Sequence, residues 1–261
     1  MRVLRKYSTI YKSGIINLFT YRLDYLTGYL SQFIVFFVQI TLWSAVSASS
    51  DEAIMTQLQV ISYFSASLLI NLLTPTTSDL AGLIKSGDLS LHIVRPYNVI
   101  LNELTNIVSG KTAEIVKNIP FFIFILFIYS GSLNFSEANI MVLVFIPLGL
   151  IIAYLFSLMF NLLSFWFVDI GGFTHFLNTF QGLVNGRMIP YQFMPSIFLV
   201  VLNWLPFQFI VYYPIALLTG LADPNQILQQ LFLAVGYCVL LGFICWFLYK
   251  KGLKRYTSVG G

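Results

Sequence analysis

Long apolar stretches alternate with short polar segments along this chain, and each stretch is close to the length at which a helix crosses a lipid bilayer. The apolar positions run on without a break instead of alternating with polar ones, which favours helices over strands. The stretches predict six membrane-spanning helices, at about residues 28–47, 58–75, 117–133, 139–163, 173–189 and 226–248. The predicted fold class is therefore an all-α, polytopic membrane protein, in which residues 1–261 form a single transmembrane domain.

The N-terminal segment, residues 1–27, has a different pattern. Apolar side chains recur there every three or four positions. Five basic residues lie between them: Arg2, Arg5, Lys6, Lys12 and Arg22. This pattern predicts an amphipathic elbow helix that lies among the lipid head groups. The alternative is an ordinary first helix packed against protein.

The apolar segment before the last predicted span, residues 190–224, is interrupted by proline. The prolines are Pro190, Pro195, Pro206, Pro214 and Pro224. Proline removes a backbone donor and tends to end or kink a helix. The pieces between these prolines are too short to cross a bilayer. We therefore expect a broken, partly re-entrant helical hairpin in the outer leaflet, covered by other protein or by water.

The segment between the second and third predicted spans, residues 76–116, is a polar island in an apolar chain. Only 9% of all residues are charged, yet four polar side chains that can carry charge fall within sixteen positions. They are Lys85, Asp88, His92 and Arg95. Apolar residues are interspersed among them, and these need something to pack on. We therefore expect a structured loop at the base of the spans; the alternative is a solvated connector.

Helix-start and helix-stop signals divide the island into short helices. Gly87 suits the position after a first helix, and Asp88 can cap a second. That second helix must end before Pro96, because the residue preceding proline is pushed out of the helical region. Asn98 is expected to cap a third short helix with one apolar side.

Basic residues accumulate on one side of the predicted topology. With the N-terminus inside and six crossings, thirteen of the 14 Lys and Arg residues face the cytoplasm, and Arg187 alone lies near an outer end. Lys and Arg are enriched in cytoplasmic loops, so both termini are predicted to be cytoplasmic. The net charge of +4 follows from this bias and gives no reason to expect a nucleic-acid partner.

Motifs for catalysis or cofactor binding are weak. The stretch TNIVSGKT, residues 105–112, ends like a phosphate-binding loop, but Thr105 stands where that motif requires glycine. Cys238 and Cys245 lie seven positions apart in one apolar run, which indicates packing, and no metal-ligand spacing is present. We expect neither an ATPase site nor a bound cofactor or metal in this chain.

Two stretches resemble permeases of the ABC-2 type, the membrane subunits of bacterial ATP-binding-cassette exporters. IKSGDLSLHIVRPYN resembles the inner-loop pattern of that family, with Gly87-Asp88-Leu89 followed by Arg95-Pro96. NGRMIPYQFMPSIFLVVLNWLPFQFIVYYPIALLTG resembles its outer pattern, although Arg187 and Tyr191-Gln192 depart from the small apolar residues expected there. The likeness is closest to the branch in which permease and ATPase are separate chains.

The resemblance implies a role for each stretch. In such exporters the first inner loop docks on the ATPase, which here would involve Leu83, Lys85, Gly87, Asp88, Leu89, Arg95 and Pro96. The outer stretch would form a gate from Gly186, Arg187, Pro190, Pro195, Pro206, Phe207 and Pro214. It further implies a bacterial cytoplasmic membrane, surrounding lipids, a second six-span permease, identical or related, and ATP with Mg in the partner ATPase.

The predicted function is export of an amphipathic substrate, such as a lipid-like molecule, a hydrophobic peptide or a drug. Polar side chains on the predicted spans could line the pathway or serve interhelical packing: Gln32, Gln39, Asn178 and Gln181. Two alternatives remain open, a non-transporting scaffold or assembly factor and an ion-coupled secondary carrier. The scarcity of acidic residues within the spans disfavours the carrier.

Overall fold

A computed structural model describes residue 11 and residues 22–49, 54–74, 80–95, 98–129, 140–167 and 171–256. These residues form helices and short 3₁₀ turns, without a strand among them. The elbow prediction for residues 1–27 lies largely outside the described residues, and Pro96 does too. Of residues 1–21, Tyr11 is described, and its carbonyl accepts a hydrogen bond from Ser109 Oγ at 3.0 Å.

Ten α-helices follow one another along the described chain. They are α1 (Arg22–Ala48), α2 (Gln57–Leu73), α3 (Leu80–Ser86), α4 (Leu89–Val94), α5 (Val99–Tyr129), α6 (Val142–Leu162), α7 (Gly171–Val184), α8 (Ser196–Leu202), α9 (Tyr212–Leu218) and α10 (Ile227–Arg255). The all-helical prediction is confirmed for this part of the chain.

Helices α6 and α10 form the most extensive helix pair. Cys238 and Cys245 of α10 direct their thiols at the carbonyl oxygens of Leu148 and Leu155 of α6, at 3.9 and 3.2 Å. The two cysteines are seven residues apart, and so are the two residues whose carbonyls they contact. The residue numbers rise in the same order along both helices, so the two helices run in the same direction. The sequence-based interpretation of the cysteines as packing residues agrees with these contacts.

Two groups of contacts define the two ends of the bundle. At one end, which we call the island pole, α3 and α4 pack through residues such as Leu89 on the last turns of α6 and the end of α10. At the other end, the hairpin pole, Trp43 Nε1 of α1 donates to Met188 O at 3.1 Å, and Tyr63 Oη of α2 donates to Gly186 O at 2.7 Å. Helices α1 and α7 therefore end at the hairpin pole, whereas α6 and α10 end at the island pole.

Three described helical stretches are long and apolar enough to cross a membrane, namely Leu30–Ala48, Val142–Phe165 and Pro224–Arg255, whereas the apolar Gln57–Leu73 is shorter. The six-span arrangement stays a prediction. Helix α7 ends at Val184, five residues before the predicted end of the fifth span, because the chain turns at Gly186 with φ +86°. Its 14 residues give a length of about 21 Å.

The prediction of a separate third short helix after Asn98 is wrong. Asn98 does cap a helix, since its Oδ1 accepts from the backbone N–H groups of Ile100 and Leu101 at 2.9 and 3.2 Å. However, that helix is α5, which continues to Tyr129 and so joins the end of the island to the third predicted span. No proline interrupts its first 21 residues, and Pro120 lies within the helix.

The segment 190–224 consists of short pieces, whereas its partly re-entrant path in the outer leaflet stays a prediction. It contains two helices of 7 residues each, α8 and α9, separated by a 3₁₀ turn at Pro206–Phe209. Pro195 precedes α8, and Pro206 begins the 3₁₀ turn, as expected for a residue that lacks a backbone donor. This segment packs on α6 through Phe209 and Tyr213, whose rings contact Phe145.

Candidate transport cavity and docking surface

The turn after α7, residues 185–190, connects several helices at the hairpin pole. Tyr63 Oη bonds to Gly186 O, and the backbone N–H of Tyr212 donates to Asn185 O at 3.0 Å. The ring of Tyr191 stacks on that of Tyr212 with centroids 3.9 Å apart, and Tyr191 Oη donates to Val184 O at 2.6 Å. The turn is therefore held by α2, by α9 and by the segment that follows it.

Gly186 is required at this turn for two reasons. Its φ of +86° lies in the left-handed region, which residues with a side chain rarely adopt. A Cβ there would also meet Tyr212 Cβ at 2.8 Å and Tyr63 Oη at 2.9 Å. The structure therefore explains why glycine stands at position 186, and its predicted part in an outer gate stays a prediction.

A cavity of about 410 Å³ lies below this turn, between α1, α2, α5 and α7. Its lining is rich in polar side chains. They are Gln32, Asn71, Thr74, Lys111, Glu114, Asn178, Gln181, Asn185 and Arg187. Apolar residues complete the wall, including Ile210 and Val211 just before α9. A polar cavity inside an apolar bundle is the kind of place where irregular backbone and charged side chains are tolerated in membrane proteins.

Arg187 reaches into this cavity from the turn. Its Nη1 donates to Asn71 Oδ1 at 3.0 Å, and its backbone N–H donates to Asn185 Oδ1 at 2.9 Å. Its Nη2 lies against Gly182, where an added Cβ would be 3.1 Å away. The guanidinium therefore points back between the helices, although the sequence places Arg187 near an outer end.

Three of the four side chains predicted for the pathway, Gln32, Asn178 and Gln181, meet at this cavity. Gln39 does not line it, since its Nε2 instead points at Arg187 O at 3.4 Å. Gln39 therefore braces the turn, which corresponds to the alternative of interhelical packing.

Sequence reasoning missed several cavity residues. Asn71 lies within an apolar run and was not singled out, while Lys111 and Glu114 were assigned to the loop before the third span. The lack of proline between Val99 and Lys117 was the signal that one helix can carry these two side chains into the bundle. Their i, i+3 spacing on that helix allows the ion pair that they form, with Nζ and Oε2 2.7 Å apart.

The island presents one face to the rest of the protein. Leu80, Ile84 and Leu89 are buried, at 0%, 7% and 0% exposure, in a cluster with the ends of α6 and α10. Leu83 is partly buried against the same cluster. Leu89 therefore belongs to the buried face of the island, and its predicted part in docking stays a prediction.

Hydrogen bonds fasten the island to the two helices beneath it. The backbone N–H of Ala81 donates to Asn161 Oδ1 of α6 at 3.3 Å. Tyr256, immediately after α10, donates its hydroxyl to Gly87 O at 2.8 Å. Gly87 itself has φ +84° and follows the end of α3, as predicted.

The opposite face of the island is exposed. Leu91, Ile93 and Val94 are 60%, 46% and 86% exposed, so α4 presents apolar side chains outward. Lys85, Asp88 and Arg95 are exposed around them. These six residues, which we call the docking face, combine an apolar centre with charges at its rim.

This geometry tests two predicted helix ends of the island, the cap at Asp88 and the end of the second short helix before Pro96. Asp88 precedes α4, but its side chain makes no capping hydrogen bond and accepts instead from Ser86 Oγ at 2.7 Å. Arg95 ends α4 in an extended conformation with ψ 146°, which agrees with the predicted effect of the proline that follows.

Comparison with known proteins gives one family. The family model described as "ABC-2 family transporter protein" matches residues 15–260 of the chain. A comparison with the curated proteins found no significant match. The family match confirms the resemblance that rests on the island and on the proline-rich outer stretch. The chain therefore belongs to the ABC-2 transporter family and is a transmembrane permease of an ABC transporter.

Proposed function

We propose that this permease exports an amphipathic substrate from a bacterial cell, together with a second permease chain and a separate ATPase. The observation that carries this proposal is the arrangement of the island. One face of it packs on the ends of α6 and α10, and the opposite face is exposed, with an apolar centre and charges at its rim. Such a surface suits a protein partner, because the apolar centre supplies contact area and the rim charges fix the orientation.

Motion of the ATPase would reach the bundle through the island. Because α3 is bonded to Asn161 of α6, and Gly87 between α3 and α4 is bonded to Tyr256 after α10, a displaced docking face pulls on those two helices. Helix α6 then leads to the hairpin pole, where Gly149 and Phe145 contact the Phe209 region. A packed helix of 21 residues can transmit such a displacement, whereas a flexible linker cannot.

The polar cavity below the hairpin-pole turn is the proposed substrate chamber. It is bounded by α1, α2, α5 and α7, and the turn at 185–190 lines it together with Ile210 and Val211. In this proposal the turn and the proline-rich hairpin form the outer gate. Export would require the hairpin to move away from the cavity when the ATPase drives the island.

A second permease chain is proposed to cover α7. This helix contributes Asn178 and Gln181 to the cavity and exposes an apolar stripe of Phe173, Phe176, Phe180 and Leu183 elsewhere on its surface. Among the described elements, α7 makes its main contact with the 3₁₀ turn at Pro206–Phe209. A partner against the stripe would complete the wall of the pathway.

The permease has both termini in the cytoplasm, so that the island faces the ATPase, and lipids surround the rest of the bundle. ATP and Mg bind to the partner ATPase, and this chain performs no catalysis of its own.

The test is recovery of the ATPase with the tagged permease from its native membrane. Replacing Asp88 and Arg95 together with alanine, or Val94→Asp alone, should leave the permease inserted and reduce ATPase recovery by about tenfold. The matched control is the double variant Lys254→Ala, Arg255→Ala, which removes charges at the same pole outside the docking face.

The outcomes separate the proposal from its alternatives. Equal ATPase recovery with all variants would contradict docking at the island. If no ATPase accompanies the wild-type chain under any mild extraction, the scaffold alternative gains support. Transport by the purified chain under an ion gradient, without ATP, would point to the secondary carrier.

A further inference from the structure

The polar cavity carries an unbalanced positive charge. Arg187, Lys111 and Glu114 are its charged lining residues. The Lys111–Glu114 pair, with its 2.7 Å separation, neutralises itself. Within the described part of the chain, Arg187 forms no ion pair and donates to the amide oxygen of Asn71. A cation held in a partly desolvated site attracts an anion far more strongly than it would in water.

The amides around Arg187 are oriented as donors. Asn71 and Asn185 each use the side-chain oxygen to accept from Arg187, from Nη1 and from the backbone N–H respectively. Their NH₂ groups therefore remain for another acceptor. Gln32, Asn178 and Gln181 bring further carboxamides to the same cavity. A lining with surplus donors and one surplus cation favours oxygen-rich anions such as phosphate or carboxylate.

An apolar cleft adjoins this cavity. It has a volume of about 570 Å³, lies between α5 and α6, and is lined by aliphatic residues such as Ile107, Leu150 and Ile151. Lys111 lines both the polar cavity and the apolar cleft. A ligand whose head group occupies the cavity beside Lys111 can therefore place a hydrocarbon chain along the cleft.

We propose that the substrate of this permease is an anionic amphiphile, whose phosphate or carboxylate head group binds Arg187 in the polar cavity and whose hydrocarbon chain follows the apolar cleft. This inference rests on the proposed transport function and specifies the substrate class of the same pathway. Free inorganic anions satisfy the head-group requirement alone, so the experiment must separate them from amphiphiles.

Binding to the full chain in nanodiscs of zwitterionic lipid tests this proposal. The probe is dodecyl phosphate, compared with dodecanol and with inorganic phosphate, and empty nanodiscs correct for partition into lipid. Dodecyl phosphate should bind at least tenfold more tightly than either comparator. Arg187→Gln should weaken it about tenfold or more, since a charge-assisted hydrogen bond is lost. Arg187→Lys should restore part of the affinity, and Arg255→Gln at the exposed end of α10 should leave it unchanged.

A second variant keeps the test decisive if Arg187→Gln does not fold. Glu114→Gln removes the carboxylate that neutralises Lys111, so dodecyl phosphate should bind severalfold more tightly while dodecanol is unaffected. The proposal is overturned if dodecanol binds as well as dodecyl phosphate, if inorganic phosphate binds equally well, or if neither charge variant changes the affinity. ATPase recovery does not depend on this cavity, so failure here leaves the proposed permease function standing.

Discussion

At the scale of single residues, small side chains at the hairpin pole determine how closely its parts approach. Gly186 allows a turn with φ +86° and leaves room for Tyr63 and Tyr212. The sequence placed Gly186 inside the fifth predicted span, residues 173–189, so it did not predict this turn. It does not indicate that Tyr63, more than a hundred residues earlier, donates to the carbonyl of Gly186, since no local pattern encodes that contact.

Replacing Gly186 with alanine should lower the stability of the folded permease by about 1–3 kcal/mol, because the new Cβ adds both a disfavoured φ and a steric conflict. Thermal unfolding of the purified protein in detergent measures this change. The control is Gly236→Ala in α10, where an added Cβ has nothing within 4 Å and alanine improves helix propensity. Equal melting temperatures for the two variants would contradict the role assigned to Gly186.

At the scale of elements, the sequence locates helices better than it locates their ends. The short helices of the island and hairpin were predictable, because Gly87 and the prolines act through local backbone conformation. The continuation of α5 from Val99 to Tyr129 was not expected, because charged residues such as Lys111 were taken as evidence for a loop. Their charges are accommodated by pairing and by the cavity, which depend on the tertiary arrangement.

Helix α6 links the two poles, and Gly149 is one of its contacts with the hairpin. A Cβ at Gly149 would fall well inside contact distance of the backbone carbonyl of Phe209, which cannot move as a flexible side chain could. Gly149→Ala should therefore displace the 3₁₀ turn at Pro206–Phe209 and destabilise the permease by about 1–3 kcal/mol.

The effect of that displacement on transport shows whether α6 transmits motion between the two poles or only supports the fold. In membrane vesicles containing the complete transporter, Gly149→Ala should reduce ATP-driven transport severalfold while ATPase recovery stays at the wild-type level. The docking face lies at the other pole and is unaltered. Gly242→Ala, on α10 with nothing within 4 Å of an added Cβ, is the matched control. Loss of ATPase recovery in the Gly149 variant would show general misfolding instead.

At the scale of the whole molecule, the distribution of charge agrees with the two poles. Basic residues of the described chain cluster at the island pole, in the island and at the end of α10, whereas Asp223 lies at the hairpin pole. Sequence alone could predict this polarity, since loop charge is readable without a fold. It could not predict that Arg187 turns away from its loop toward Asn71, because that depends on the cavity between the helices.

The polarity predicts which pole faces the cytoplasm, and labelling of single cysteines measures it. In a background with Cys238→Ala and Cys245→Ala, cysteines placed at the exposed positions Ser49 and Asn225 should react with an impermeant thiol reagent added to intact cells. A cysteine at the exposed position Lys254 should react only after the membrane is permeabilised, because Lys and Arg at that pole favour the cytoplasmic side. Permeabilised cells label all three sites and so control for reactivity. The reverse pattern would place the docking face outside the cell, where no ATPase could drive it, and both the orientation and the proposed mechanism would be wrong.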